Sequence, residues 1–169
     1  MLQQTVLITQ GFSVVGEIYT NSPSRAEVYT LNSLDPANNV FGRAFTKTLA
    51  SPGYAEAGGT GVFAGFLINP KSSASFGTVT GGALAPTLTL PNQSFGEIMN
   101  MGTIVVSLPA AANIGDYICY DLVTGELTSQ PPASAPLLGT AFAHAVVDYF
   151  QVSSAGLAVI TITDVPLSV

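Results

Sequence analysis

The sequence contains no tryptophan, one cysteine and one histidine, and only 8% of its 169 residues are charged. An average soluble domain carries about 25% charged residues. Because Cys119 has no second cysteine to pair with, an internal disulfide is excluded and the redox compartment stays open. Hydrophobic residues make up 47% of the chain, and low charge with this hydrophobic content is the reverse of a disordered composition.

The scarcity of basic residues argues against two classes of partner. Four Lys and Arg residues oppose ten Asp and Glu residues, and the net charge is -6. Nucleic-acid binding requires a cluster of basic side chains, which the sequence lacks, and an anionic membrane surface would repel the chain. The first ten residues have no positive region typical of a secretory signal, and no apolar run is long enough to cross a bilayer. We therefore expect neither nucleic acid nor membrane as a partner.

The low charge also bears on self-association. Free monomers use surface charge to stay soluble and apart, whereas a subunit surrounded by neighbours does not need it. The composition therefore predicts a chain that works in an assembly, as a homo-oligomer and most simply a trimer.

The distribution of residues predicts an all-β fold, either a β-barrel or a β-sandwich of many short strands with Gly/Pro-rich loops. Eleven prolines and 17 glycines interrupt segments rich in Val, Ile, Thr, Tyr and Phe. No segment keeps a 3.6-residue apolar period over three turns, although a short helix is expected near Phe95–Met101 or Ala110–Asn113. The candidate strands are Thr5–Thr9, Ser13–Tyr19, Glu27–Leu31, Val40–Thr46, Val62–Ile68, Ser75–Val79, Thr87–Leu90, Thr103–Leu108, Tyr117–Tyr120, Glu126–Ser129, Gly139–Ala145, Val147–Val152 and Leu157–Thr163.

Two local patterns are clearer than the rest. From Gly115 to Thr128, two apolar segments flank a turn with Asp121 at its entrance and Gly125 at its exit, which predicts a hairpin. Ser51–Gly61 is rich in Gly and Ala and predicts a flexible loop.

The N-terminal residues carry the candidate contact site. Leu2, Val6, Leu7 and Ile8 are apolar, and the segment has no charge, Lys or Pro to prevent pairing of its backbone. We expect residues 1–12 to form an arm that adds a strand to a neighbouring subunit or to a larger shell, and residues 13–169 to form a single β domain.

The residues that could carry catalysis are sparse. His144 lies in an apolar segment with no second His or Cys at metal-ligand spacing, and no Gly-x-Ser-x-Gly motif marks a nucleophile. The Gly59–Gly65 run precedes a β-type segment and lacks the Lys of a phosphate-binding loop, so a turn is the simpler interpretation. We expect no enzyme activity, no catalytic or metal-binding residues and no cofactor.

Six stretches of the chain form a recognisable series, at residues 29–33, 39–45, 61–71, 101–106, 115–127 and 139–160. In their order and spacing they resemble the structural cement proteins that decorate the capsids of tailed bacteriophages. The resemblance implies a non-enzymatic, mainly β virion protein that binds the major capsid protein on the outer face of the head and reinforces it, as a trimer. That family offers no catalytic residues.

Two other classes of function stay open at this point. One is a virion-surface glycan- or receptor-binding β module, which needs an aromatic-lined pocket; the absence of Trp argues mildly against it. The other is a small β-barrel enzyme or ligand binder, in which His144 would have to converge with carboxylates.

Overall fold

The computed structural model describes residues 13–20, 23–47, 49–69, 89–132 and 134–163. Within these ranges the protein has nine strands and one 3-10 turn, at Pro36–Asn38. The strands are β1 (Arg25–Leu31), β2 (Ala44–Lys47), β3 (Tyr54–Ala57), β4 (Val62–Leu67), β5 (Phe95–Leu108), β6 (Tyr117–Asp121), β7 (Leu127–Gln130), β8 (Thr140–Asp148) and β9 (Gly156–Ile162). The predicted all-β class is confirmed.

Five strands close into a small barrel. Their order is β1-β3-β2-β4-β5, and β1 also pairs with β5, which closes the ring. β1 and β3 run parallel, whereas the other neighbouring pairs of the ring are antiparallel. The interior is filled by apolar side chains of the barrel strands and two adjoining segments: Tyr29, Leu31, Phe41, Phe45, Ala55, Ala57, Ala64, Leu67, Leu90 and Ile98.

The second half of β5 belongs to a second, antiparallel sheet. Residues up to Met101 pair with β1, whereas Gly102–Leu108 pair with β9. The sheet continues from β9 through β8 and β6 to β7, and β7 comes close to β5. On the free edge of β5, Gly16 N donates to Val105 O (2.8 Å) and Tyr19 N to Thr103 O (3.0 Å).

The second sheet covers one side of the barrel. Ala44, Phe66 and Met99 are fully buried and belong to the same apolar cluster as Ile104, Ile118 and other side chains of the second sheet. Of the two architectures that the sequence left open, barrel and sandwich, the protein therefore has a barrel, with a second sheet attached to it.

Some sequence-based expectations were wrong. Phe95–Met101 is not a helix but the first half of β5, because pairing with β1 outweighs the helix propensity of residues such as Glu and Met. No helix occurs at Ala110–Asn113, where Ala112 bridges to Val152. Ser51–Gly61 contains β3, which is paired on both sides. The two strands expected between Gly139 and Val152 are largely one, β8.

Other strand predictions had different outcomes. The hairpin is confirmed as β6 and β7. Ser13–Tyr19 makes a single bridge at Ile18, and in the Thr87–Leu90 segment Thr89 makes a single bridge to Val40. Thr5–Thr9 and Ser75–Val79 lie outside the described residues.

Candidate functional site

The predicted N-terminal contact residues, Leu2, Val6, Leu7 and Ile8, lie outside the described residues, and so does most of the arm that contains them. Their role stays a prediction. The described domain offers two other features that could serve as a functional site, an exposed apolar surface and a pocket lined by cations.

One face of the barrel carries exposed apolar side chains on three neighbouring strands. Thr30 of β1 lies beside Tyr54 of β3 and Phe95 of β5, and Val28 lies beside Glu97. Phe95 is 76% exposed, Val28 62% and Tyr54 43%. Because alternate side chains of a strand point to the same side, these five residues share one surface, which we call the barrel face.

The barrel face contrasts with the side of the barrel that the second sheet covers. There, Phe66 and Met99 are fully buried, whereas Phe95, on the same strand as Met99, is exposed. A large apolar patch left exposed on a folded domain marks an interaction surface more often than a single exposed side chain does. The barrel face is therefore the candidate docking surface.

A cavity of about 270 Å³ lies where the barrel meets the second sheet. Its lining includes Arg25 of β1, Lys47 of β2, Asn100 of β5 and His144 of β8, and Phe63 of β4 forms part of the wall. We call it the cationic pocket, since two of the four Lys and Arg residues of the chain and its single histidine line it.

Hydrogen bonds hold the cations of this pocket in place. Arg25 Nε donates to Asn100 Oδ1 (2.7 Å), and Lys47 Nζ donates to the Tyr29 hydroxyl (2.8 Å). That hydroxyl donates to Glu27, which also accepts from Asn100 Nδ2 (3.1 Å) and lies 3.8 Å from Lys47 Nζ. The hydrogen bond from Tyr29 is the main cause that lowers the pKa of Glu27, and the bond to Tyr29 raises the pKa of Lys47.

His144 occupies a constrained position at the pocket. Its ring stacks on Phe63 with 5.9 Å between centroids, and its φ of 48° is in the left-handed region. Its carbonyl accepts from Thr163 N (2.7 Å) and Thr163 Oγ1 (3.1 Å). No carboxylate is among the described residues that line this pocket, so the convergence that an enzyme site would require is not seen there.

A larger cavity, of about 350 Å³, lies beside Arg43 and has a mostly apolar lining. The Arg43 guanidinium donates to Asn38 Oδ1 (2.8 Å) and Thr124 O (3.1 Å) and pairs with Glu126. Since these partners belong to the protein itself, Arg43 joins the barrel to the β6–β7 hairpin, and this cavity offers no comparable cation to a ligand.

Other reactive or ligating side chains do not assemble into a site. Cys119 is fully buried, and burial raises the pKa of its thiol to about 11. Among the described ranges, no group of three or more His, Cys, Asp or Glu residues is placed to hold a metal ion. The same part of the chain contains no helix with the length and apolar character needed to cross a membrane.

Sequence reasoning missed both the barrel face and the cationic pocket. The expected helix at Phe95–Met101 and the expected loop around Tyr54 hid the strand alternation that places Phe95 and Tyr54 on one surface. The available signal for the barrel face was in β1, where the apolar Val28 stands between Glu27 and Tyr29 and so points to the opposite side of the strand from Tyr29. Nothing in the sequence brings residues 25, 47 and 144 together, because they lie on three separate strands.

Comparison with known proteins identifies a family that this chain matches. A model of the phage cement family, described as structural cement protein (E217 gp24/Pam3 gp6), matches residues 2–163. A solved chain described as "The capsid of Myoviridae Phage XM1" has a TM-score of 0.62 and 17% sequence identity, covering 96% of this chain and 98% of that chain. At that identity the likeness concerns the fold. No curated protein matches the sequence.

The family match extends over the barrel, the second sheet and nearly all of the N-terminal segment. It agrees with the all-β architecture of the described residues. The chain belongs to the family of phage structural cement proteins, and it is a structural, capsid-stabilising protein of the virion.

Proposed function

We propose that this cement protein binds the outer face of the assembled head through its barrel face, with the major capsid protein as its partner. The observation that carries the proposal is the exposure of Phe95 (76%) next to Val28 (62%) and Tyr54 (43%). Aromatic side chains on a β surface provide large contact area, and they are enriched among the residues that dominate binding energy.

The energetics of such a contact are adequate for docking. Burying a Phe, Val or similar side chain contributes about 1.5–3 kcal/mol each relative to leaving it exposed. Much of this is offset by lost translational and rotational freedom. We infer that one barrel face binds weakly and that several linked faces bind firmly, because linkage raises the effective concentration of the second and third contacts.

A homotrimer provides that linkage, and the arm at residues 1–12 provides a second type of contact. The low charge of the chain supports burial of surface between copies. Its net charge of -6 supports a position outside the shell, away from packaged DNA.

Stabilisation of the head then follows from mass action. A protein that binds the assembled lattice, and not dissociated capsid subunits, stabilises the lattice by RT ln(1 + [L]/Kd) per site. At a free concentration one hundred times Kd this is about 2.7 kcal/mol for each site. Heads that carry the protein should therefore rupture at a higher temperature than stripped heads.

The decisive experiment strips the protein from heads, adds it back and measures both binding and the temperature of DNA release. Phe95→Ser should weaken binding about tenfold or more and lower the release temperature toward that of stripped heads. The control is Leu138→Ser, since Leu138 is a fully exposed apolar residue that lies before β8, on no strand of the barrel face. If wild-type protein leaves the release temperature unchanged, the cement mechanism is overturned. If Phe95→Ser binds like Leu138→Ser, the barrel face is not the docking surface.

A further inference from the structure

We propose that the cationic pocket is a socket for one carboxylate, supplied by an Asp or Glu side chain of the capsid protein. The inference rests on the proposed function, because it assumes that the capsid protein is the partner, and it adds a polar contact to the apolar barrel face. Arg25 lies on β1, and Asn100 lies on β5, the same two strands that carry Val28 and Phe95. The socket and the barrel face therefore share two strands of the barrel.

The distribution of charge leaves one cation uncompensated. Glu27 accepts hydrogen bonds from Tyr29 and Asn100, lies 3.8 Å from Lys47 and also interacts electrostatically with Arg25, so that two cations face one carboxylate. Arg25 has no comparable acidic partner within hydrogen-bond distance among the described residues. Arg25 and Lys47 set against Glu27 leave a net charge of about +1, which matches a carboxylate better than a doubly charged phosphate.

The geometry of Arg25 favours a planar acid. Asn100 Oδ1 accepts from Arg25 Nε, which orients the guanidinium. Its terminal nitrogens Nη1 and Nη2 make no hydrogen bond to a residue in the described part of the chain. A guanidinium with two free, parallel N–H groups binds a carboxylate in a bidentate manner.

The wall of the pocket has features that the stability of the fold does not require. His144 holds a positive φ of 48°, which a non-glycine residue rarely adopts and which concentrates at binding and catalytic sites. Phe63 stacks on its ring and Thr163 fixes its carbonyl, so that the imidazole lies at the pocket. By contrast, the Lys47–Glu27 pair is 40% and 46% exposed on its two side chains, and such a pair stabilises a fold only slightly. Folding alone therefore does not account for the cluster.

Binding to heads tests the socket against two variants of one residue. Arg25→Gln removes the charge and should weaken binding about tenfold or more. Arg25→Lys keeps the charge but loses the two parallel N–H groups of the guanidinium, and it should weaken binding less. Binding by Arg25→Gln should depend less on salt than binding by the wild type, because one ion pair is removed. If Arg25→Gln binds heads as tightly as the wild type while Phe95→Ser has lost binding, the socket proposal is overturned and the proposed function is left intact.

The ligand chemistry is tested on the free protein. His144 is the single histidine of the chain, so its Hε1 ring proton gives one assignable signal in an NMR spectrum. N-acetyl-glutamate amide should shift this signal saturably, and N-acetyl-glutamine amide should not. Inorganic phosphate that binds more tightly than the glutamate compound overturns the carboxylate assignment. Wild-type protein that fails to bind heads overturns the proposed function and the capsid protein as the source, but the titration still decides the ligand of the pocket.

Discussion

Gly65 is the residue at which β4 passes closest to β5. Its φ is 135°, and a Cβ placed there would overlap the carbonyl oxygen of Met99. The neighbouring ladder between β2 and β4 shifts register just after Phe45, which pairs with Gly65. A single residue without a side chain therefore allows β4 to fit between β2 and β5 and the barrel to close.

Replacing Gly65 with Ala should destabilise the protein by about 3 kcal/mol, since a strained backbone costs about 1–3 kcal/mol and overpacking costs a similar amount. Urea denaturation measures the loss. The control is Gly53→Ala, where φ is 91° but no atom lies within 4 Å of the added Cβ. Gly53→Ala should cost only about 1–2 kcal/mol. Equal losses in the two variants would contradict the proposed close approach.

At the scale of elements, the β6–β7 hairpin is stabilised by its own turn. Asp121 Oδ1 accepts from Val123 N and Thr124 N, both at 2.8 Å, and from Thr124 Oγ1 at 3.0 Å. Gly125 follows with a φ of 71°, which closes the turn. Burial tends to raise the pKa of Asp121, but the hydrogen bonds from Thr124 and Val123 outweigh it and hold that pKa below its ordinary value.

Asp121→Ala should destabilise the protein by about 1–2 kcal/mol, because two backbone N–H groups lose their acceptor. The lowered pKa means that the folded state favours the ionised carboxylate. This stabilisation is complete above the ordinary carboxyl pKa of about 4 and is lost as pH falls through the lowered pKa of the folded state. Urea titrations should therefore show a constant gap between wild type and variant from pH 7 to pH 5 that narrows below about pH 4. A gap that does not change at low pH would contradict this origin.

The arm is the second element with a prediction of its own. Deleting Met1–Gln10 should leave the domain folded, with an unchanged circular dichroism spectrum, and should abolish binding to heads because strand addition is lost. A full-length variant in which Val6, Leu7 and Ile8 are replaced by Ser separates the role of the apolar side chains from chain length. Unimpaired head binding by the truncated protein would refute the arm, and loss of folding would place the segment in the core.

For the whole molecule, low charge bears on self-association. A subunit with 8% charged residues has little repulsion to keep copies apart. We expect sedimentation at micromolar concentration to show a trimer, whose mass should not change between low and high salt because its contacts are mainly apolar and neutral. The Phe95→Ser variant should remain a trimer, since the barrel face is assigned to the capsid protein. A clean monomer would remove the linkage on which firm binding rests.

The parts of the fold that were predictable are those determined by near neighbours in the chain. The turn at Asp121–Gly125 has its capping carboxylate and its glycine within five residues, so its hairpin was evident. The last strand was evident from alternation between Leu157 and Thr163, and it is β9. The strand at Tyr54–Ala57 was not, because a Gly- and Ala-rich segment becomes a strand here by pairing with β1 and β2.

The sequence by itself determined the all-β class, the shortage of charge and the resemblance to cement proteins, because these depend on composition and local patterns. The tertiary structure decided which surfaces are available. Closure of the barrel exposed Phe95 while the second sheet buried Met99 on the same strand. Arg25, Lys47 and His144 met because the start of β1, the end of β2 and the middle of β8 line one pocket. Such pairings join residues dozens of positions apart, and hydrophobic alternation records only which side of a strand is apolar, not what will cover it.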